Sequence, residues 1–258
     1  MTSRIVSPIA DTRMTSGRNL LFLLTIIASV GADGLGVWQL RRLWARRTWN
    51  AAAMAERARP EVDLLTTGLD GRANYRRVHL AGRYDLEREI VLRDRLLRGT
   101  PGIHVITPLR IGGRDTAVLV HRGFVPTADA GMPPSRIPFG EADSVDFFGF
   151  AMSVPDQGDG WRLETAAGPT WRRLDLSALR RQLPYPIAPY YVIVAADSVR
   201  TREHTLKGHA LPIRIEPPPL DNGPHLSYAV QWFLIGGAAL GFGLFFVRRQ
   251  PGGSVVPG

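Results

Sequence analysis

The segment from Tyr228 to Val247, YAVQWFLIGGAALGFGLFFV, contains no charged residue and is followed directly by Arg248 and Arg249. A helix of about 20 apolar residues crosses a hydrocarbon core of about 30 Å. The glycines of this segment, at positions 236, 237, 241 and 243, are typical of membrane helices, in which small residues let another helix approach closely. The segment therefore predicts a transmembrane helix with a partner helix.

A second apolar segment lies near the N-terminus, from Leu20 to Leu40, with the sequence LLFLLTIIASVGADGLGVWQL. Asp33 interrupts it, but apolar character resumes at Leu35, and Trp38 is followed by arginines, as in an interfacial belt. We favour an uncleaved membrane anchor. Because an ionisable residue within a span is costly, Asp33 is also a functional candidate, although it could instead lie near the interface.

A cleavable signal peptide is the alternative for this first segment. Basic residues extend through Arg18, a short apolar run follows, and the small residues from Val30 to Ala32 resemble a cleavage site. Cleavage there would leave Asp33 just outside the removed segment.

Two spans place both chain ends on the same side of a membrane. Arginines flank the spans almost equally on both sides, so charge does not decide the orientation, and long loops are translocated largely regardless of their charge. The predicted organisation is a tail at 1–19, a membrane helix at 20–40, an extramembrane domain at 41–225, a second membrane helix at 226–247 and a tail at 248–258.

The central domain is predicted to be rich in strands. The first helix is expected to continue into this domain until Pro60 ends it. Alternating or β-branched runs then predict strands over 77–84, 89–95, 103–110, 116–125, 145–154, 190–196 and 211–215. The fold class is therefore α+β, with two transmembrane helices flanking a strand-rich, mostly antiparallel extramembrane domain.

Turn and cap residues place the connections of this domain. The pair Gly112-Gly113 predicts a tight hairpin, because adjacent glycines accept positive φ. A helix is predicted from Leu174 to Leu183, capped by Asp175 or Ser177. The segment 128–140, rich in Pro and Gly, predicts a long loop.

Composition excludes several classes of function. With no cysteine, the chain has no disulfide, thiolate metal site, iron–sulfur cluster or covalently attached c-type haem. The net charge of +9 favours anionic lipid headgroups over nucleic acid, because no nucleic-acid-binding motif accompanies it. The motifs of phosphate loops, zinc proteases and serine hydrolases are also missing from the sequence.

The most informative stretch begins at Asp221. Asn222 or Gly223 can cap a helix and Pro224 suits its first turn, which places His225 at the predicted membrane boundary.

Positions 225, 228 or 229 and 232 share one face of this helix, so His225, Tyr228 and Trp232 form a stripe of imidazole, phenol and indole. An imidazole there could ligate haem iron while the apolar macrocycle lies against the helix. The alternative, favoured on spacing alone, is an interfacial histidine bonded to the chain or to headgroups.

Other candidates are weaker. The remaining histidines, at positions 79, 104, 121, 204 and 209, have no spacing that fixes their mutual distances, and we interpret them as structural or solvated. Arg122 ends a predicted strand, where it could pair with a carboxylate or a propionate. Gly123 beside it more often allows a bulge or close packing.

Five blocks of sequence lie along the chain in a specific order. They are LGVWQLRRLWA at Leu35 to Ala45, Gly82-x-Tyr84, Arg93 followed by Gly99-x-Pro101-Gly102 and VITPL, VLVHRGFVP at Val118 to Pro126, and NGPHLSYAVQWF at Asn222 to Phe233. Taken together and in this order, they resemble the surfeit locus protein 1 family of cytochrome c oxidase assembly proteins. The chain departs from the family pattern at Asp33, and at Ala45, where a lysine is common.

The resemblance implies a non-enzymatic assembly factor of the bacterial cytoplasmic (inner) membrane, with residues 41–225 periplasmic and both tails cytoplasmic. It implies non-covalent binding of haem a, with His225 on the iron, for insertion into oxidase subunit I; haem a synthase is a second candidate partner. Arg41, Arg42 or Arg122 would pair with the propionates. The alternatives are a membrane scaffold that binds oxidase subunits without haem, and an accessory component of a haem-modifying enzyme.

Overall fold

A computed structural model of the chain describes residues 9–69, 74–128, 143–158, 160–165, 168–195 and 211–249. Its helices are α1 (Ile9–Ala58), α2 (Leu176–Gln182) and α3 (His225–Arg248), with one 3₁₀ turn at Leu86–Arg88. Its strands are β1 (Val62–Asp63), β2 (Asn74–Tyr84), β3 (Ile90–Leu97), β4 (Thr100–Arg110), β5 (Ala117–Pro126), β6 (Ser144–Ser153), β7 (Leu163–Thr165), β8 (Gly168–Trp171) and β9 (Ile187–Val194).

The chain forms two compact units. A helical unit contains the residues up to Asn50 and those from Asp221 onward, and a sheet unit runs from Ala51 to Leu220. In the first, α1 from Asn19 onward and α3 are both long and apolar enough to cross a membrane, by length and composition. As predicted, α1 continues past the apolar segment and ends before Pro60, whose ring and missing N–H do not fit a helix interior.

Glycines bring α1 and α3 into close contact. A Cβ at Gly236 would lie 2.5 Å from the Asp33 carboxylate oxygen Oδ1, and a Cβ at Gly36 would lie 2.7 Å from the Phe233 ring. A Cβ at Gly243 would collide with Thr25 in the same way, whereas a Cβ at Gly237 or Gly241 would meet no atom of the described residues within 4 Å. The glycines of α3 predicted a partner helix, and on one face of α3 that partner is α1 of the same chain.

Most strand pairs in the described part of the sheet unit are antiparallel, as predicted; β1 with β2, β3 with β8 and β5 with β9 are parallel. The strand order is β1-β2-β6-β9-β5-β4-β3-β8-β7, and β2 also pairs with β4. Strands β2, β6, β9, β5 and β4 therefore close into a small barrel.

Alternate side chains of the barrel strands fill its interior. The fully buried members include Val78, Leu80, Val120 and Val192. Closure depends on Gly82, because a Cβ there would collide with the carbonyl oxygen of Arg110 where β2 crosses β4.

A second core lies under α2. Leu179 of α2 packs with Ile106, Leu119 and Trp171. The helix begins after Asp175, whose Oδ1 accepts the N–H of Ala178 at 3.0 Å, so the predicted cap is confirmed at Asp175.

Two other predictions have different outcomes. The strand predicted over 211–215 is wrong: only Ile213 forms a bridge, to Phe124, and Pro212 before it and Pro217 after it have no N–H with which to extend a ladder. Of the loop predicted over 128–140, all but the first residue lies outside the described residues. The short strands β1, β7 and β8 were not predicted, since two to four residues carry too little alternation.

Candidate functional site

A tight turn precedes α3. The Asp221 side chain accepts the N–H of Gly223 at 2.9 Å, and Gly223 has φ +63, a conformation that favours glycine. Pro224 then occupies the N-cap position without a side-chain cap bond. The cap predicted at Asn222 or Gly223 is therefore wrong, because the turn closed by Asp221 shifts the helix start to His225.

Helix α1 holds this turn in place. Arg46 Nε donates to the carbonyl oxygen of Asp221 at 3.1 Å, and Asn50 Nδ2 donates to the same oxygen at 2.8 Å. Asn50 also contacts the Asn222 side chain at 3.3 Å and is buried. The start of α3 is thus tied to a defined height on α1.

His225 is oriented by a glutamine of α1. Its Nδ1 lies 2.9 Å from Gln39 Oε1, and because that oxygen can only accept, Nδ1 carries the proton. A Cβ at Gly223 would lie 3.5 Å from His225 Nε2, so the side with Nε2 faces the turn. The described residues supply no hydrogen-bond partner to Nε2.

An open cleft of about 450 Å³ adjoins this histidine. It is lined by Arg42, Ala45, Arg46 and Trp49 of α1 and by Asp221, Gly223 and His225. The Arg46 guanidinium lies 4.9 Å from the centre of the Trp49 ring. This volume lies within the range of small-molecule sites, about 300–1,000 Å³. The indole, the guanidinium groups and the imidazole that line the cleft suit a ligand with an apolar body, acidic groups and affinity for an imidazole nitrogen.

The structure brings some of the predicted residues together here. Arg42 lines the cleft with His225, whereas Arg41 is exposed and does not. Trp232 is half-buried on the same face of α3 as His225, but Tyr228 is 47% exposed, because the buried Ala229 takes the position against α1. Arg46 and Gln39 were not predicted as site residues. Their spacing of four and three residues from Arg42, which places all three on one helix face, was the signal that could have found them.

Arg122 belongs to the sheet unit. Its side chain is 2% exposed and Nη1 lies 3.2 Å from Glu89 Oε2. The guanidinium also lies 4.8 Å from the centre of the Tyr84 ring. Val105 pairs with Gly123 and Ile106 with His121, so Arg122 is the extra residue of the predicted bulge. These contacts support the barrel; a role of Arg122 toward a ligand stays a prediction.

Two histidines that we interpreted as structural form a pair. His121 Nε2 lies 3.0 Å from His104 Nδ1, across strands β4 and β5. Burial is the main cause that lowers the pKa of His121 to about 3 and that of His104 to about 4; His104 contributes to the shift of His121, and the Arg95 guanidinium contributes to both shifts. Both rings are thus neutral near pH 7. Sequence spacing did not predict this pair; the available signal was that the two positions are equally far from the Gly112-Gly113 turn, and the register of β4 against β5 brings them together.

Comparison with known proteins identifies the family. The profile of the SURF1 family matches residues 26–237. The chain belongs to the SURF1 family. A "SURF1-like protein" of Monosiga brevicollis is 26% identical over 89% of this chain and 88% of its own length. A "SURF1-like protein" of Rickettsia felis is 23% identical over 83% of this chain and 90% of its own. "Surfeit locus protein 1" of Takifugu rubripes is 30% identical over 41% of this chain and 50% of its own.

The SURF1 family is known for assembly of cytochrome c oxidase. Two of the blocks that carry the resemblance meet in the helical unit. The block at Leu35 to Ala45 contributes Gln39 and Arg42, and the block at Asn222 to Phe233 contributes Gly223 and His225. They are far apart in sequence and form one cleft.

Proposed function

We propose that this SURF1 family member is a non-enzymatic assembly factor of cytochrome c oxidase that binds haem a non-covalently and assists its insertion into subunit I. Helices α1 and α3 span the bacterial cytoplasmic membrane, and the sheet unit lies on the periplasmic side. Haem a synthase is a further candidate partner, as the donor of the haem.

The main support for the proposal is the set of groups in the cleft. His225 Nε2 has no hydrogen-bond partner among the described residues, and the guanidinium groups of Arg42 and Arg46 and the indole of Trp49 line the same cleft. A haem offers iron to an imidazole and carboxylates to arginines. His225 would hold the iron, Arg42 and Arg46 the propionates, and Trp49 the edge of the macrocycle. The residues present therefore fit the group chemically.

Location supports the same function. An apolar macrocycle moves between membrane proteins most easily where it remains in contact with lipid, and His225 is the first residue of an apolar helix. Ala45 also leaves room on the cleft wall where a longer side chain would fill it.

The test is an absorption spectrum of the full-length protein, purified from cells that make haem a, beside His225→Ala. We expect bound haem a in the wild type and loss of most of it in the variant, because the iron loses its protein ligand. His79→Ala is the control histidine, since His79 lies in the sheet unit. A wild-type protein that co-purifies with subunit I but never with haem would favour the scaffold instead.

A further inference from the structure

We propose that Gln39 is a positioning residue for His225: by accepting the Nδ1 proton it holds the ring in one tautomer, with the Nε2 lone pair available to a ligand. The inference rests on the proposed function for the identity of that ligand, haem, but the orientation of the ring does not depend on it.

The hydrogen bond to Gln39 selects one tautomer of His225. A neutral imidazole carries one proton, and the bond of 2.9 Å to Gln39 Oε1 places it on Nδ1. Nε2 is then the only ring nitrogen able to bind a metal ion. Without Gln39, both tautomers would be open to the ring.

Gln39 lies on the face of α1 that carries the two arginines of the cleft. Gln39, Arg42 and Arg46 are separated by three and four residues, so they lie on one face of the helix. That face carries the two arginines of the cleft, and Arg46 also holds the turn before His225. One helix face thus supplies the group that orients the imidazole and the cations beside it.

A chemical consequence follows from this bond. A histidine that binds a metal usually donates its other N–H to a fixed acceptor, which makes the binding nitrogen more basic, and loss of such an acceptor weakens metal affinity about 10- to 100-fold. A carboxylate in place of the amide is a stronger acceptor and should strengthen the effect.

The first experiment uses the full-length protein in detergent, without haem. Histidines labelled with nitrogen-15 are observed by NMR, and the His225 signals are assigned by their loss in His225→Ala. We expect Nδ1 protonated and Nε2 bare in the wild type, a mixture of tautomers in Gln39→Leu, and the wild-type pattern in Gln39→Glu. Gln231→Leu, at an exposed glutamine of α3, should change nothing. Protonation of Nε2 in the wild type would overturn the proposal.

The second experiment titrates haem a into four of these proteins: the wild type, Gln39→Leu, Gln39→Glu and Gln231→Leu. We expect Gln39→Leu to bind about 10- to 100-fold more weakly, while Gln39→Glu retains affinity and its bound iron has a lower midpoint potential than the wild type. Equal affinities in all four would overturn the role toward haem. If the wild type does not bind haem a, the proposed function fails, while the tautomer result still decides the role of Gln39. If Gln39→Leu does not fold, the wild-type tautomer and the potential of Gln39→Glu decide it.

Discussion

Acidification should weaken the sheet unit through the buried pair of His104 and His121. His121 is 4% exposed, its Nδ1 has no hydrogen-bond partner among the described residues, and its Nε2 is bonded to His104. Two further cations, Arg95 and Arg214, disfavour a proton on His121. Protonation would therefore place an additional charge in a buried site that is already positive.

The sign and size follow from proton linkage. With pKa values of about 3 and 4, both rings stay neutral in the folded chain at pH 5, whereas unfolded histidines, near 6.5, are mostly protonated. The unfolded chain binds more protons, so stability falls as the pH is lowered through 6.5 and continues to fall until the folded pKa is reached. At about pH 5 the loss is about 2 kcal/mol for each ring.

The assay is urea unfolding of the full-length protein in detergent at about pH 7.5 and about pH 5, followed by near-UV circular dichroism. His121→Gln should lose about 2 kcal/mol less between the two pH values than the wild type, since it lacks one of the titrating rings. His79 is the control. Burial lowers the pKa of His79, but hydrogen bonds and charges from Asp146 and Asp63 outweigh it and raise the pKa.

Stability from His79 is therefore fully present below its unfolded pKa and is lost as the pH rises through its folded pKa, so His79→Gln should increase the loss on acidification. If the wild type and His121→Gln have the same pH dependence, the buried pair does not titrate as inferred.

Two other substitutions have matched controls. Glu89→Gln should lower the free energy of unfolding by about 3 kcal/mol, because it leaves the buried guanidinium of Arg122 without its carboxylate. Asp143→Asn, which removes an exposed partner of Arg83, should lower it by less than about 1 kcal/mol in the same urea titration. Equal losses in the two variants would contradict the role of the buried ion pair. Gly236→Leu should separate α3 from α1, because its side chain would collide with Asp33 and the Ser29 carbonyl, whereas Gly237→Leu points into open space. Disulfide crosslinking between introduced cysteines at positions 36 and 233, where a Cβ at Gly36 would meet the Phe233 ring, measures the helix contact. Equal crosslinking in both variants would refute this packing.

Local patterns predicted much of the fold. The apolar run before Arg248 predicts α3, Pro60 marks the end of α1, and Gly112-Gly113 marks the turn between β4 and β5. These features depend on residues next to one another in the chain. Barrel closure could not be predicted in this way, because it depends on β2 meeting β4 at Gly82, and nothing local in β2 specifies its second neighbour.

The candidate site likewise depends partly on local sequence and partly on contacts between distant segments. The sequence alone determined that the chain carries two apolar helices, that His225 lies near the start of the second and that the chain has no cysteine with which to bind a metal, because helical period, length and composition are properties of the chain itself. Only the tertiary structure decided which groups face His225. Gln39 is 186 residues away in sequence, and it reaches the imidazole because glycine contacts and the Asp221 turn set the relative height of two helices. Contacts between distant segments arise from packing, and no periodicity within either segment encodes them.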